Sequence, residues 1–107
     1  MVVLVQSSMV LPVSSTPNPV PVASTLSPAG VTHGSGNLQL LVNGSGFVPG
    51  SMVTWNGSQR TTDFISSTQL RAYISRSDVA AAGTPQVKVV NPTPGGGTSA
   101  AVTFVIN

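Results

Sequence analysis

Short runs of alternating apolar and polar residues begin at Pro19 and continue to Asn107, separated by clusters of Gly, Pro, Asn and Ser. Successive side chains of a β-strand point to opposite faces, so each run predicts one strand with a buried and an exposed face. Short strands that recur roughly every ten residues, with such turns between them, are typical of a β-sandwich. The pattern therefore predicts an all-β sandwich of about seven strands in two antiparallel sheets.

The runs also indicate which side chains face the core. They are PVPVASTL, NLQLLVN, MVTWN, SQRTTDFI, TQLRAYIS, PQVKVVN and AAVTFVIN. The first contains two prolines, which cannot donate to a strand ladder, so it is predicted to lie at a sheet edge. In TQLRAYIS, Arg71 and Tyr73 alternate with apolar residues and are predicted to project from the outer face. The residues predicted to face inward are Leu38, Leu40, Val42, Val53, Trp55, Leu70, Ala72, Ile74, Val87, Val89, Val102, Phe104 and Ile106.

Three segments between the runs carry specific turn signals. The pair Asn56 and Gly57 predicts a type I′ hairpin, because both central residues of that turn need a positive φ. The segment NPTPGGGTS predicts another hairpin, between the last two strands. The segment SRSDVAAAG predicts at most one helical turn across the alanines, linking strands of different sheets. Its cap is predicted to be Ser77 or Asp78, and its stop Gly83.

The segment GSGFVPG resembles a glycine-rich ligand loop, but its residues fit backbone turns better. It lacks the Lys-Ser/Thr end of a phosphate-binding loop. It is also followed by a strand, whereas a dinucleotide-binding loop is followed by a helix. Phe47 is therefore predicted to plug one end of the sandwich, with Gly44 or Gly46 adopting a positive φ. Asn43 and Asn56 also match the glycosylation sequon, and turn chemistry accounts for both.

Residues 1–18 differ from the rest of the chain, because short Val and Leu pieces precede SSTPNP. This predicts a strand tail and a linker from a preceding segment of a longer protein, with residues 19–107 as the folded domain. The sequence leaves open whether residues 1–17 are ordered, and whether they pair within the chain or with another molecule. The segment has neither the basic flank of a signal peptide nor the roughly 18–20 apolar residues of a membrane span. No membrane insertion by this segment is expected.

The composition gives the surface an unusual character. Charged residues make up 6% of the chain and hydrophobic residues 40%, whereas an ordinary soluble protein carries roughly 25% charged residues. Ser, Thr, Asn and Gln must therefore supply most of the polar surface. The net charge of +2 comes from Arg60, Arg71, Arg76 and Lys88 against Asp63 and Asp78. Nucleic-acid binding needs clustered Lys and Arg, so no nucleic-acid partner is expected.

Candidate catalytic and metal-binding residues are few. Asp63 and Asp78 lie on different segments and the chain has no Glu, so a catalytic carboxylate pair is not expected. His33, the only histidine, lies in THGSGN and is interpreted as a solvated loop residue rather than as part of a Ser-His-Asp triad. Without cysteine no disulfide can form, and one His and two Asp cannot complete a tetrahedral zinc site, while calcium binding through loop carbonyls stays open. We expect no enzyme activity, no metal and no cofactor.

The chain resembles the IPT/TIG family of immunoglobulin-like domains in four stretches that occur in the family's order. They are LSP at 26–28, LLVNGSGFVPGSMVTWNG at 40–57, SSTQLRAYI at 66–74 and VKVVNPTPGGGTSAAVTF at 87–104. The resemblance implies an immunoglobulin-like β-sandwich in which strands A, B and E face strands C, F and G. The chain differs from antibody domains, in which a disulfide joins the two sheets and a tyrosine lies two positions before the second cysteine of that disulfide. The predicted structural core includes Phe47, Trp55, Leu70, Val89 and Phe104.

The resemblance also implies a class of function. In transcription-factor members the domain dimerises and its loops help to hold DNA, but basic loop residues for that role are missing here. In bacterial members the domain mostly serves as a repeated spacer or attachment module, and it also accompanies carbohydrate-active enzymes. The implied role is a non-enzymatic spacer or adhesion module of a larger bacterial extracellular or cell-surface protein. The expected partners are neighbouring domains of the same polypeptide and a cell-surface glycan or protein.

Two further hypotheses come from other classes. The first is a carbohydrate-binding or enzyme-accessory module, with Arg71 and Tyr73 as the candidate surface contact. A guanidinium and a ring on one strand face can stack on a sugar, but the same two residues also suit ordinary cross-strand pairs. Trp55 is interpreted as a core residue rather than a sugar platform, because sandwich domains bury a tryptophan on strand C. The other hypothesis is a dimerisation domain of a DNA-binding protein.

Overall fold

Eleven short strands form within residues 17–107, the part of the chain that the computed structural model describes. They are β1 (Val22–Ser27), β2 (Gly30–Val31), β3 (Leu38–Ser45), β4 (Met52–Trp55), β5 (Ser58–Arg60), β6 (Thr62–Ser66), β7 (Gln69–Ile74), β8 (Gln86–Asn91), β9 (Gly97–Thr98), β10 (Val102–Thr103) and β11 (Val105–Ile106). A 3-10 helix, Arg76–Val79, lies between β7 and β8. Of the predicted N-terminal extension, residues 1–16 lie outside the described residues.

The strands form two antiparallel sheets that enclose one core. In the first sheet β1, β3, β7 and β6 lie side by side, with β1 and β6 at the edges. In the second sheet β8 pairs with β4 on one side and with β9 and β10 on the other, and β5 lies beyond β4. β11 leaves the second sheet and pairs in parallel with β2. The predicted all-β sandwich is confirmed, and the proline-containing first run lies at a sheet edge.

Seven predicted runs give eleven strands because two of the runs change sheets and two short strands lie outside the runs. SQRTTDFI divides at Thr61 into β5 of the second sheet and β6 of the first. AAVTFVIN divides at Phe104 into β10, which pairs with β8, and β11, which pairs with β2. β2 and β9 are two-residue strands in segments that the pattern assigns to loops. A run that changes sheets keeps its period of two, because alternation shows which side chains are buried and not which strand the run pairs with. The change of sheet is therefore not visible in the pattern.

The core follows the predicted alternation. All five residues assigned to the structural core are buried, each 4% exposed or less: Phe47, Trp55, Leu70, Val89 and Phe104. Trp55 and Phe104 form its aromatic centre, with ring centroids 5.2 Å apart and ring planes tilted by 52°, a favourable geometry for two aromatic rings. Leu38 and Val102, also predicted to face inward, are half-buried at the margin.

The segment between β7 and β8 does link the two sheets, but its helical turn is not where the sequence predicts it. The helix has its N-cap at Ser75 and ends before the alanines. The prediction that Ser77 or Asp78 caps a turn across the alanines, stopped by Gly83, is therefore wrong. Asp78 lies at the third helical position, where its carboxylate accepts a hydrogen bond of 3.2 Å from the Ser75 N–H. This capping interaction fixes the helix start upstream of the alanines.

The glycines of NGSGFVPGSMVTWNG shape the backbone at the sheet ends. Gly46 has a φ of 73°, so it is the glycine that makes the predicted turn. At Gly44 an added Cβ would collide with the carbonyl oxygen of Val22, so glycine is needed there for β1 to approach β3. Asn56 and Gly57 have φ values of 50° and 87°, which confirms the type I′ turn between β4 and β5.

The described chain enters and leaves the sandwich at opposite ends. Asn18 bridges to Gly95 in the hairpin between β8 and β9, and we call this end the N-terminal pole. Ile106 pairs with Val31 and bridges to Gly83, just before β8 begins, and we call this end the C-terminal pole. Because β8 runs from the Gly83 end to the hairpin, the length of a strand separates the two poles.

Candidate functional site

The outer face of the first sheet carries the two residues predicted as a surface contact. The buried residues of β7 alternate with Arg71 and Tyr73, which project outward. The strand register places Asp63 of β6 opposite Arg71, and Gln39 of β3 opposite Tyr73. We call Asp63, Arg71 and Tyr73 the outer-face triad.

Asp63 binds both of the other members of the triad. The Tyr73 hydroxyl donates a hydrogen bond to Asp63 Oδ2 at 2.5 Å. Arg71 Nη1 lies 3.8 Å from the same oxygen, and the side chains of Arg71 and Asp63 are 38% and 48% exposed. An exposed ion pair of this kind contributes about 0–1 kcal/mol to stability. Its main effect is therefore to orient the guanidinium and the ring at the surface without adding net charge.

An open groove of about 450 Å³ runs beside Tyr73. It is lined by Asn37, Leu38, Gln39, Tyr73, Ile74 and Ser75. Asn37 Oδ1 accepts a hydrogen bond of 2.7 Å from the Arg76 N–H, which fixes one wall of the groove to the 3-10 helix. The groove thus combines one aromatic ring with amide and hydroxyl groups, and its lining residues are uncharged.

Amide side chains continue across the outer face toward the N-terminal pole. Gln69 Nε2 donates to Asn43 Oδ1 at 3.0 Å, and Asn43 Nδ2 donates to Thr25 Oγ1 at 3.3 Å. The three residues lie on neighbouring strands β7, β3 and β1. This ladder gives Asn43, the first sequon asparagine, a role in joining strands.

The second carboxylate, Asp78, binds a different arginine. Arg60 Nη2 and Nε donate to its two oxygens at 2.6 and 2.9 Å, a bidentate geometry that is stronger than a single contact. These hydrogen bonds are the main reason why the pKa of the Asp78 carboxyl lies below its usual range, although burial opposes the shift. The pair ties β5 to the 3-10 helix. Each of the two carboxylates is therefore bound to its own arginine, in a structural arrangement.

The remaining candidates for chemistry lie apart from the outer-face triad. His33 is exposed at the C-terminal pole, where its Nδ1 lies 2.7 Å from the Asn107 carbonyl oxygen. Trp55 is 4% exposed and packs on Phe104, so its ring is not available to a sugar. Within residues 17–107, no group of three His, Cys, Asp or Glu side chains is placed to hold a metal ion. In the same range, no helix has the length and apolar character needed to cross a membrane.

The alternation predicted that Arg71 and Tyr73 face outward, but it gave no indication of Asp63, the residue that connects them. Residues opposite one another in a hairpin can be found by counting back from the turn. Here the register shifts between Phe64 and Ser66, so that count fails by one residue. A one-residue error assigns the opposite face, which is why the run SQRTTDFI gave no signal for the triad.

A comparison with protein families supports the fold. The sequence profile of the IPT/TIG domain family matches residues 21–106. The matched range contains all eleven strands of the described structure, from β1 to the last residue of β11. None of the curated proteins compared with the chain matches it.

Proposed function

The chain belongs to the IPT/TIG domain family, an immunoglobulin-like fold, and from this membership we propose that it is a non-enzymatic spacer or adhesion module of a larger bacterial protein. That protein is extracellular or attached to the cell surface. The module's partners are the neighbouring domains of the same polypeptide and, in adhesion, a cell-surface glycan or protein.

The observation that carries this proposal is the separation of the two poles. The described chain arrives at the hairpin that bridges to Asn18 and leaves beside β2, one strand length away. A module with this path holds the preceding and the following segments apart along its strands. Such a fixed separation is what a spacer provides, whereas a chain that enters and leaves at one end adds little length.

The polar chemistry supports a role without catalysis or nucleic-acid binding. Arg60 and Arg71 each pair with an aspartate. This pairing reduces the positive potential that a protein needs to bind the phosphate backbone of a nucleic acid. Asp63 and Asp78 are held by different arginines on different elements, so neither is placed to share a proton with the other. A surface built from hydroxyls and amides suits a module that connects other domains.

The coding sequence on both sides of this segment tests the spacer role. We expect further domains before residue 1 and after residue 107, together with an export signal in the parent gene. A gene that encodes this one module alone, with no export signal, would contradict the proposal. Export is checked by protease digestion of intact cells, which should remove the module from the cell surface.

The outer-face triad favours a second candidate function, the binding of a neutral carbohydrate. The Tyr73 ring, oriented by the Asp63 carboxylate, lines a groove together with Asn37, Gln39 and Ser75, and the same carboxylate binds the Arg71 guanidinium. Neutral sugars are recognised by an aromatic face together with amide and hydroxyl groups, rather than by net charge. This chemistry favours a neutral glycan over an acidic one.

A glycan array followed by titration of the positive glycans tests this candidate. Replacing Tyr73 with alanine is expected to weaken binding roughly tenfold, because the ring contact is lost. Tyr73→Phe keeps the ring and should retain most of the affinity. The matched control is Phe64→Ala, which removes another exposed ring (40% exposed) on β6. An array without any signal, or equal losses for Tyr73→Ala and Phe64→Ala, would exclude this face as the binding site.

A further inference from the structure

We propose that this module bears tension along the chain, because parallel neighbours hold it at both poles. At the N-terminal pole Asn18 bridges in parallel to Gly95. At the C-terminal pole β2 and β11 pair in parallel. The inference rests on the proposed spacer function, since only a module with neighbours on both sides is pulled from both ends.

At the N-terminal pole, Asn18 makes three hydrogen bonds to the hairpin loop between β8 and β9. Its N–H donates to the Pro94 carbonyl at 2.7 Å, and its carbonyl accepts from the Gly96 N–H at 2.7 Å. Its side-chain Nδ2 donates to the Pro92 carbonyl at 2.8 Å. We call Asn18 and this loop the hairpin clamp. It fixes the incoming chain before β1 begins.

The hairpin clamp gives the glycines of PTPGGG a role beyond the turn. A Cβ added at Gly95 would lie 2.6 Å from both the Asn18 carbonyl oxygen and the Pro17 Cβ. Gly95 also has a φ of 69°, which side chains other than glycine rarely adopt. Glycine is therefore needed at position 95 for the incoming chain to lie against the hairpin.

At the C-terminal pole, β11 is held on both sides. On one side the Val105 N–H donates to the Ala29 carbonyl at 3.2 Å, and the Asn107 N–H donates to the Val31 carbonyl at 2.9 Å. On the other side, Ile106 and Gly83 exchange hydrogen bonds of 2.8 and 3.0 Å. The outgoing chain is thus anchored until its last described residue.

The direction of pull decides how these bonds are loaded. Strand ladder bonds run across the strands, so forces along two neighbouring strands in opposite senses stretch all of their shared bonds together. Tension from the chain ends pulls Asn18 outward past the hairpin and β11 outward past β2. Both poles are therefore sheared as units, whereas a pull across a strand end would open its bonds one after another.

Constant-force unfolding of the full chain, with a cysteine added at each end for attachment, tests the proposal. The chain contains no cysteine, so the attachment points are unique. The comparison molecule carries Ser67→Cys and Thr93→Cys instead. Both positions are exposed at the N-terminal pole, the first between β6 and β7 and the second between β8 and β9. At the same force, we expect pulling from the chain ends to give the slower unfolding.

Two substitutions test the two poles separately under end-to-end load. Val105→Pro removes one donor of β11, and Gly95→Ala displaces the incoming chain from the hairpin. Each is expected to raise the unfolding rate at a fixed force about fivefold, the effect of losing one hydrogen bond that is broken in the unfolding transition state. Val105→Ala, which keeps the N–H of a 42% exposed residue, is the matched control and should leave the rate nearly unchanged.

Equal unfolding rates in the two pulling geometries would overturn the tension-bearing role. Rates unaffected by both Val105→Pro and Gly95→Ala would overturn it as well. Neither result would decide the spacer role, which depends on the flanking domains and on export. Conversely, a parent gene without neighbouring domains would remove the spacer role and leave the measured resistance to tension in place.

Discussion

Replacing Asn91 with aspartate is expected to lower the free energy of unfolding by about 3–5 kcal/mol, the range for a buried charge that loses its partners. Asn91 is 3% exposed. Its Nδ2 donates to the Pro19 carbonyl at 2.9 Å and to the Gly46 carbonyl at 2.7 Å. A carboxylate has no hydrogen to donate, so it would face two carbonyl oxygens across distances that require a donor.

The effect is large because the single amide of Asn91 joins three parts of the N-terminal pole. It holds the incoming chain at Pro19, the corner after β3 at Gly46, and β8, on which it lies. Its Oδ1 accepts a hydrogen bond from the buried Ser51 hydroxyl, which in turn accepts from the Val48 N–H at 2.9 Å. Ser51→Ala removes the partner of the Val48 N–H and of Asn91 Oδ1 but introduces no charge, so a smaller loss of about 1–3 kcal/mol is expected.

Urea unfolding followed by the fluorescence of Trp55, the only tryptophan in the chain, measures both losses. For Asn91→Asp the loss should also depend on pH. Burial raises the pKa of the introduced carboxyl in the folded state above its unfolded value. The folded variant therefore binds an extra proton as pH falls, so its deficit is full at neutral pH and shrinks in acid. Asp78 titrates in the variant and the parent alike, so its effect cancels in the difference.

The matched control is Asn56→Asp, the same chemical change in an exposed turn. Asn56 Oδ1 accepts a hydrogen bond of 2.8 Å from the Gln86 N–H, and an aspartate oxygen can accept it equally. Asp-Gly also suits a type I′ turn, so a change within about 0.5 kcal/mol is expected. Similar losses at the two positions, or a deficit at Asn91 that grows in acid, would contradict the role assigned to its amide.

The contrast between Asn91 and Asn56 shows what local sequence can predict. The Asn56 turn follows from two adjacent residues and their φ requirements, so the sequence indicates it directly. The partners of Asn91 lie 72 and 45 positions away in the chain. Alternation identifies which side of β8 is buried, but it contains no signal that a polar residue at its end binds two distant carbonyls.

The same distinction applies to the fold as a whole. Alternation and turn chemistry predicted the sandwich, its buried faces and the hairpins, because these depend on neighbours within a few residues. The change of sheet at Thr61 and at Phe104 depends on which strands lie nearby, which the period of two does not encode. The helix cap was misplaced because the alanines suggested helix, whereas the hydrogen bond between Ser75 and Asp78 fixes the start.

For the candidate site, the sequence predicted the direction of Arg71 and Tyr73 but not the carboxylate that orients them. The segment PTPGGG predicted a hairpin, whereas the fit of Gly95 against the incoming chain is visible only in the folded structure. In both cases the missing information is a contact between segments far apart in the chain. Such contacts form the triad and the hairpin clamp, which support the carbohydrate-binding and the tension-bearing proposals.

Truncating Phe104 to alanine is expected to lower the free energy of unfolding by about 3–5 kcal/mol, the usual range for a buried phenylalanine. Phe104 is fully buried and packs on Trp55. It also lies at the point where the last run passes from β10 to β11, and its N–H donates to the Pro85 carbonyl at 3.0 Å. The truncation leaves a cavity between the sheets at a position where the backbone is already held and cannot readily collapse.

The control for Phe104 is Phe64→Ala, which removes the same atoms from a ring that is 40% exposed. Less apolar area returns to water there and no closed cavity forms, so a loss of about 1 kcal/mol is expected. Trp55 fluorescence adds a local test, because Phe104→Ala removes the ring beside the indole and should alter the folded-state emission, whereas Phe64→Ala should not. Equal losses at the two positions, or an unchanged emission after Phe104→Ala, would contradict a core centred on this aromatic pair.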